Sequence, residues 1–261
     1  MGGRVRVERE PPIGWIVFDH PERRNAISTE MWRAIPPAVA ELSADPEIRV
    51  VILRGAGDLA FVAGADISEF EQQRTGGEAA VAYESGTGRA FGALVNLEKP
   101  LLAAIHGFCV GGGMALALAA DLRFAAEDAV FAIPAARLGL GYHASGIEAL
   151  VQLVGPSAAK EIFMTARRFR ADEALRLGLV SGVVPKDQLE DHVADLARRI
   201  ARNAPLTLAS VKLVVRELAR PLEQRDASAM AESIRACFES DDYREGVRAF
   251  LEKREPHFQG R

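Results

Sequence analysis

The chain has 261 residues, of which 49% are hydrophobic and 26% are charged, a composition typical of a globular protein with one large domain or one domain and an appendage. Its formal net charge of −4 and isoelectric point near 5.8 argue against a nucleic acid or an anionic membrane surface as a partner. No apolar run is long enough to span a membrane, and the only two cysteines lie far apart. We therefore expect a reduced, cytoplasmic protein.

The first half of the chain alternates predicted strands with predicted helices. Residues 4–10 and 14–20 mix apolar and polar positions with a period near two, which predicts two strands around a turn. Residues 28–42 have the apolar spacing of a helix, and the β-branched run at 48–55 predicts a buried strand. A similar strand at 101–108 approaches a glycine-rich turn, and another follows that turn. This alternation predicts an α/β fold with mostly parallel strands.

The pattern changes to helices after about residue 184. Residues 187–203, 205–221 and 223–239 all have a helical period, and the sequence predicts no strand between them. We therefore expect an α/β core at 1–190 and a helical region at 191–261. The apolar stripes of these helices need a surface to cover, which is either the core or another subunit.

The glycine-rich turn is GFCVGGGMALALAAD, in which three consecutive glycines precede an apolar helix. Glycine is unfavourable in a helix, so bare backbone must be needed there, either to donate N–H groups or to pack closely. The turn is not a dinucleotide-binding motif, because Leu116 stands where the third glycine belongs, and no GK[ST] of a phosphate loop follows. Five histidines without paired spacing predict no metal site. His106 is expected to be a hydrogen-bonded core residue.

A second stretch, FVAGADISEF, places Gly64, Ala65 and Asp66 between an apolar run and a predicted helix. Alone, it is explained by an ordinary loop in which Asp66 or Ser68 caps the helix. Together with the glycine turn it has a second explanation. A helix N-terminus carries unpaired N–H groups, and a donor from a separate loop would complete an oxyanion hole for an acyl oxygen.

The chain resembles the crotonase, or enoyl-CoA hydratase/isomerase, superfamily. The resemblance is carried in family order, over nearly the whole chain, by HPERRNAIS, FVAGADISEF, AAIHGFCVGGGMALALAADLRFA, FAIPAARLGLG and SDDYREGVRAFLEKREPHF. It implies a spiral core of ββα units, a helical C-terminal region that trimerises, and often a dimer of trimers. It also implies a lyase acting on acyl-CoA thioesters, with coenzyme A as part of the substrate and no separate cofactor.

The resemblance also assigns residues. By position, Ala65 and Gly112 match the residues whose backbone N–H groups form the family's oxyanion hole. The positions matched to coenzyme A binding are Arg24, Ala26, Ala63, Asp66, Ile67 and Lys253. Lys253 is expected to contact a phosphate from the tail of the chain.

The sequence departs from the family pattern at the two glutamates with which the hydratases activate water. Their positions are Ala115 and Ala135 here, and the related isomerases commonly rely on the second. A methyl group cannot move a proton, so the two-glutamate route of an enoyl-CoA hydratase is not expected to operate.

The segment LGLGYHASGIEAL follows the second alanine position. Tyr142 and His143 are its only early polar side chains, and each could replace the missing groups. Tyr142 matches a tyrosine of the superfamily's methylmalonyl-CoA decarboxylases, and His143 falls near the nucleophilic aspartate of its aryl-CoA dehalogenases. The alternative for both is that they only line or cap a loop. Three functions remain open: an enoyl-CoA hydratase-like enzyme, a malonyl-type decarboxylase and an acyl-CoA-binding protein without chemistry.

Overall fold

The computed structural model describes residues 2–66, 77–142 and 144–261, and only the backbone of residues 77–84 and 145. The strands are β1 (Arg4–Glu10), β2 (Ile13–Asp19), β3 (Val50–Gly55), β4 (Ala60–Val62), β5 (Leu101–Ile105), β6 (Phe108–Val110), β7 (Leu122–Ala126), β8 (Val130–Ala132), β9 (Phe169–Arg170) and β10 (Gly182–Val184). They form a six-stranded sheet of order β1-β2-β3-β5-β7-β10 and a four-stranded sheet of order β4-β6-β8-β9.

The helices are α1 (Thr29–Ala44), α2 (Gly77–Val95), α3 (Gly112–Ala119), α4 (Ala144–Thr165), α5 (Ala171–Arg176), α6 (Leu189–Ala201), α7 (Pro205–Leu218), α8 (Ala227–Glu239) and α9 (Asp241–Glu252). Short 3-10 turns lie at Pro21–Arg23, Pro134–Arg137, Lys186–Gln188 and Leu222–Gln224. A non-helical glycine, Gly155, interrupts α4. No helix in the described ranges is long and apolar enough to cross a membrane.

The chain repeats a ββα unit. The successions β3-β4-α2, β5-β6-α3 and β7-β8-α4 each give one strand to the six-stranded sheet, one to the four-stranded sheet, and then a helix. Within the larger sheet β1 is antiparallel to β2, whereas the pairs from β2 to β10 are parallel. The α/β class and the expected ββα units are therefore confirmed.

The single strand expected at 101–108 is wrong, because β5 ends at Ile105 and β6 begins in the other sheet. Gly107 makes this break with a left-handed φ of 54°. A Cβ at this position would lie 2.0 Å from the Leu59 carbonyl oxygen. Only glycine can therefore connect the two sheets here.

The two faces of the larger sheet carry separate cores. Helices α1, α2 and α3 supply apolar side chains to one of them together with the four-stranded sheet. Helix α6 covers the other face with its buried stripe of Leu189, Val193, Ala194, Ala197 and Ala201. The expected boundary at 190/191 falls within α6, so the division into core and helical region stays a prediction.

Candidate functional site

The two segments with predicted substrate-binding residues lie side by side. Ile27 and Ala65 form an isolated parallel bridge. In this bridge the Ile27 N–H donates to the Gly64 carbonyl at 2.8 Å, and the Asp66 N–H donates to the Ile27 carbonyl at 3.0 Å. The bridge therefore uses the Gly64 carbonyl and the Asp66 N–H, and leaves the Ala65 N–H out.

The glycine turn satisfies two steric requirements of the backbone. Gly111 has a φ of 51°, which is a left-handed conformation that favours glycine. Gly113 lies so close to β4 that a Cβ there would be 2.2 Å from the Val62 carbonyl oxygen. These contacts show that part of the glycine pattern is required for packing the start of α3 against β4. Close packing was one of the two explanations that the sequence offered for the glycines.

Gly112 is a residue of the glycine turn that lies close to Ala65. A Cβ at position 112 would lie 3.1 Å from Ile27 Cγ2, 3.3 Å from Trp32 Cζ2 and 3.9 Å from the Ala65 nitrogen. Gly112 is the first residue of α3, where N–H groups have no acceptor inside the helix and the helix dipole is positive.

Neither the Ala65 N–H nor the Gly112 N–H donates to an acceptor in the part of the chain that the structure describes. Their neighbour Gly111, in contrast, donates to the Ala132 carbonyl at 2.9 Å. Two nearby N–H groups on separate loops, neither spent on a protein acceptor, are what an oxyanion hole requires.

The two alanines at the glutamate positions border the same turn. The Ala115 N–H donates to the Gly111 carbonyl at 3.1 Å, so Ala115 lies in the first turn of α3, where it is half-buried. Ala135 is buried in the 3-10 turn Pro134–Arg137. Pro134 Cδ would be 4.0 Å from a Cβ at Gly111, which places this 3-10 turn against the glycine turn. Both positions present methyl groups that cannot activate water.

Arg24, Ala26, Ala63 and Asp66 are the other predicted substrate positions in these segments. Asp66 forms an ion pair that the sequence did not indicate. Arg24 is exposed, and its carbonyl accepts a 3.1 Å hydrogen bond from the Ala63 N–H. Asp66 is buried, and its carboxylate accepts from Arg23 Nη1 at 3.0 Å. The pair joins residues 43 positions apart, so no periodic pattern could have revealed it. Ala26 and Ala63 are half-buried.

Two predicted residues lie outside the described part of the chain, and a third is not connected to this group. Ile67 and His143 lie outside the described residues. Lys253 is exposed at the end of α9, with a left-handed φ of 57°. No hydrogen bond or ion pair among the described residues connects Lys253 to the segments around Arg24 and Ala63.

Tyr142 is half-buried directly before α4. Its ring meets Phe163 edge-on, with the centroids 5.0 Å apart and an interplanar angle of 67°. A Cβ at Gly146 would lie 2.8 Å from Tyr142 Cε1, so the ring also packs on the first turns of α4. These contacts give Tyr142 a packing role, and its chemical role stays a prediction.

The expectation that His106 is a hydrogen-bonded core residue is wrong. Its Nε2 is buried and has no hydrogen-bond partner in the described chain. Burial lowers the pKa of His106, and the Lys186 and Arg54 cations lower it further against the opposing effects of Asp128 and Asp58. The lowered pKa favours the neutral form of the ring.

Comparisons with known proteins identify the family of the chain. The family model for enoyl-CoA hydratase/isomerase matches residues 8–261. A short-chain-enoyl-CoA hydratase of Clostridium acetobutylicum is 35% identical, over 96% of this chain and 95% of that protein. A carnitinyl-CoA dehydratase of Salmonella enteritidis is 36% identical over the full length of both chains.

The solved structures agree as well. The crystal structure of an enoyl-CoA hydratase/isomerase family protein from Hyphomonas neptunium superposes with a TM-score of 0.94 at 40% identity, covering 98% of each chain. An enoyl-CoA hydratase/carnitine racemase structure from Magnetospirillum magneticum gives a TM-score of 0.94 at 36% identity, covering 98% of this chain and 96% of that one. The chain belongs to the enoyl-CoA hydratase/isomerase family.

Proposed function

We propose that the protein is an enzyme that binds an acyl-CoA thioester and stabilises its enolate. The thioester oxygen accepts hydrogen bonds from the amides of Ala65 and Gly112. The observation that carries this proposal is that these two amides are adjacent and unpaired among the described residues. Such donors stabilise the negative charge that develops on the oxygen, and losing one typically raises a barrier by about 3–4 kcal/mol.

The names of the relatives support a hydratase-like lyase with a coenzyme A thioester as substrate. The methyl groups of Ala115 and Ala135 argue against the two-carboxylate way of activating water. The proposed chemistry is therefore polarisation of the thioester by the backbone, with any proton transfer assigned to another group. Hydration of crotonyl-CoA is expected to be slow or absent.

Decarboxylation of a malonyl-type CoA is a second candidate, favoured by the same two methyl groups. The bond from Cα to the carboxylate breaks, CO₂ leaves, and the electron pair moves into the enolate held by the two amides. Cα then takes up a proton. This reaction depends on the oxyanion hole more than on a base, and Tyr142 or His143 would deliver the proton.

The helical C-terminal region supports a proposed homotrimer or dimer of trimers. Helices α8 and α9 border a cavity of about 520 Å³ with mainly apolar walls, including Phe238, Val247 and Phe250. Phe250 is 84% exposed and Leu251 is 75% exposed in the single chain. Large apolar groups exposed together on one surface are typical of subunit interfaces.

The test of function is a turnover panel of crotonyl-CoA, longer enoyl-CoAs and methylmalonyl-CoA. We expect little hydration of crotonyl-CoA. CO₂ release from methylmalonyl-CoA that is lost in Tyr142→Phe would support decarboxylation with Tyr142 as the proton donor. Hydration at ordinary enzyme rates would contradict the role given to the two alanines. Tight acyl-CoA binding without turnover of any substrate would indicate a binding protein instead.

A further inference from the structure

Two arginines from distant parts of the chain converge on one aromatic ring. The Arg24 guanidinium lies 4.9 Å from the centroid of the Phe108 ring, and the Arg168 guanidinium lies 5.9 Å from it. Both arginines are exposed, and Phe108 is half-buried. We call these three side chains the Phe108 cluster.

The four-stranded sheet explains how Arg168 reaches this ring. Phe108 in β6 pairs with Val130 in β8, and Val130 pairs with Arg170 in β9. Arg168 precedes β9 and lies two residues before Arg170. Side chains two residues apart in an extended strand point to the same face, so Arg168 and Arg170 share the face of the sheet that carries Phe108. Arg24 reaches the ring from the β4 side of β6, because its carbonyl accepts a hydrogen bond from the Ala63 N–H just after β4.

The charges of the cluster are not neutralised within the described chain. Arg24 and Arg168 form no ion pair there, although each has an arginine neighbour that does. Arg23 pairs with Asp66 at 3.0 Å, and Arg167 pairs with both Glu161 and Glu173. A ring face attracts guanidinium groups only weakly at an exposed site, which does not cancel two unit charges.

We propose that Arg24 and Arg168 together bind a phosphate group of the coenzyme A part of the substrate. The ligand chemistry is a phosphate, either the diphosphate or the 3′-phosphate, because paired guanidinium groups bind phosphate oxygens with charge-assisted hydrogen bonds. This inference rests on the proposed function. It adds Arg168, which no motif indicated, to the segment of Arg24, Ala63 and Asp66 already predicted to bind coenzyme A.

The experiment measures the dissociation constants of coenzyme A, dephospho-coenzyme A and pantetheine by calorimetry. It uses the wild-type protein, Arg168→Ala and Arg199→Ala. Arg199 is the matched control, since it is exposed, has no ion pair among the described residues, and lies on α6, which covers the far face of the larger sheet. Both substitutions change the net charge equally, so long-range electrostatics is held constant.

We expect Arg168→Ala to bind coenzyme A about twofold to fivefold more weakly, which corresponds to one exposed charge-assisted contact. Pantetheine, which has no phosphate, should bind wild type and variant equally, and Arg199→Ala should bind coenzyme A like wild type. If dephospho-coenzyme A removes the difference, the 3′-phosphate is the group bound. If the difference persists, the diphosphate is bound.

Equal coenzyme A affinity of wild type and Arg168→Ala would overturn the inference and leave the proposed function intact. An equal loss in Arg199→Ala, or an equal loss of pantetheine binding, would also overturn it. Failure of the wild-type protein to bind coenzyme A would instead refute the proposed function itself. Circular dichroism and thermal unfolding of Arg168→Ala should match wild type, because the side chain is exposed and unpaired.

Discussion

Replacing Gly112 by proline and by alanine isolates the contribution of a single backbone N–H. Both variants place a Cβ 3.1 Å from Ile27 Cγ2 and 3.3 Å from Trp32 Cζ2, contacts that require these side chains to move by a few tenths of an ångström. We expect overpacking to cost about 1–3 kcal/mol in either variant, partly offset because alanine and proline restrict the unfolded chain more than glycine.

The two variants differ at the amide. Alanine keeps the Gly112 N–H, whereas proline removes it while remaining compatible with the first position of a helix. Losing one oxyanion donor lowers kcat by about 10²- to 10³-fold. We therefore expect kcat/KM of Gly112→Pro to lie about two to three orders of magnitude below that of Gly112→Ala with the best substrate of the panel.

The assay is steady-state turnover with both variants, together with urea unfolding to confirm that each is folded. The alanine variant serves as the control for the added Cβ. A folded Gly112→Pro with the same kcat/KM as Gly112→Ala would refute the reasoning, because the N–H would then contribute nothing to the reaction.

Three further outcomes are expected. Gly113→Ala should lower the free energy of unfolding by about 2 kcal/mol or more in urea, because its Cβ would meet the Val62 carbonyl oxygen at 2.2 Å and backbone must shift; an unchanged midpoint would contradict the close packing. His106 has a lowered pKa in the folded state, so the unfolded chain binds more protons and stability should fall as pH drops below about 6.5. His106→Gln should weaken this dependence, measured by urea unfolding at pH 7.5 and 5.5, and an identical pH slope would exclude His106 as its source. Phe250→Glu should reduce the mass measured by light scattering towards that of one chain of 28.2 kDa, whereas a monomeric wild type would refute the proposed trimer.

Local patterns predicted much of the fold. The alternating segments became β1 and β2, and the segment 28–42 became α1, whose N-cap Ser28 accepts from the Met31 N–H at 3.2 Å. The break between β5 and β6 could not be predicted, because it depends on the close approach of Gly107 to Leu59, nearly fifty residues earlier in the chain.

The candidate site was predicted only in part for the same reason. Three glycines in sequence indicate a need for bare backbone, but they do not say which glycine faces a second loop. The close approach of Gly112 to Ile27 and Trp32, and the convergence of Arg24 and Arg168 on Phe108, join residues that no sequence spacing relates. Such contacts arise from the arrangement of the two sheets.

The most direct measurement for the central claim is a crystal structure with butyryl-CoA, a saturated thioester that cannot be hydrated. The account predicts the thioester oxygen at about 2.7–3.1 Å from the nitrogens of both Ala65 and Gly112. A thioester oxygen bound elsewhere, or an Ala65 or Gly112 amide that donates to a protein carbonyl in the complex, would contradict it.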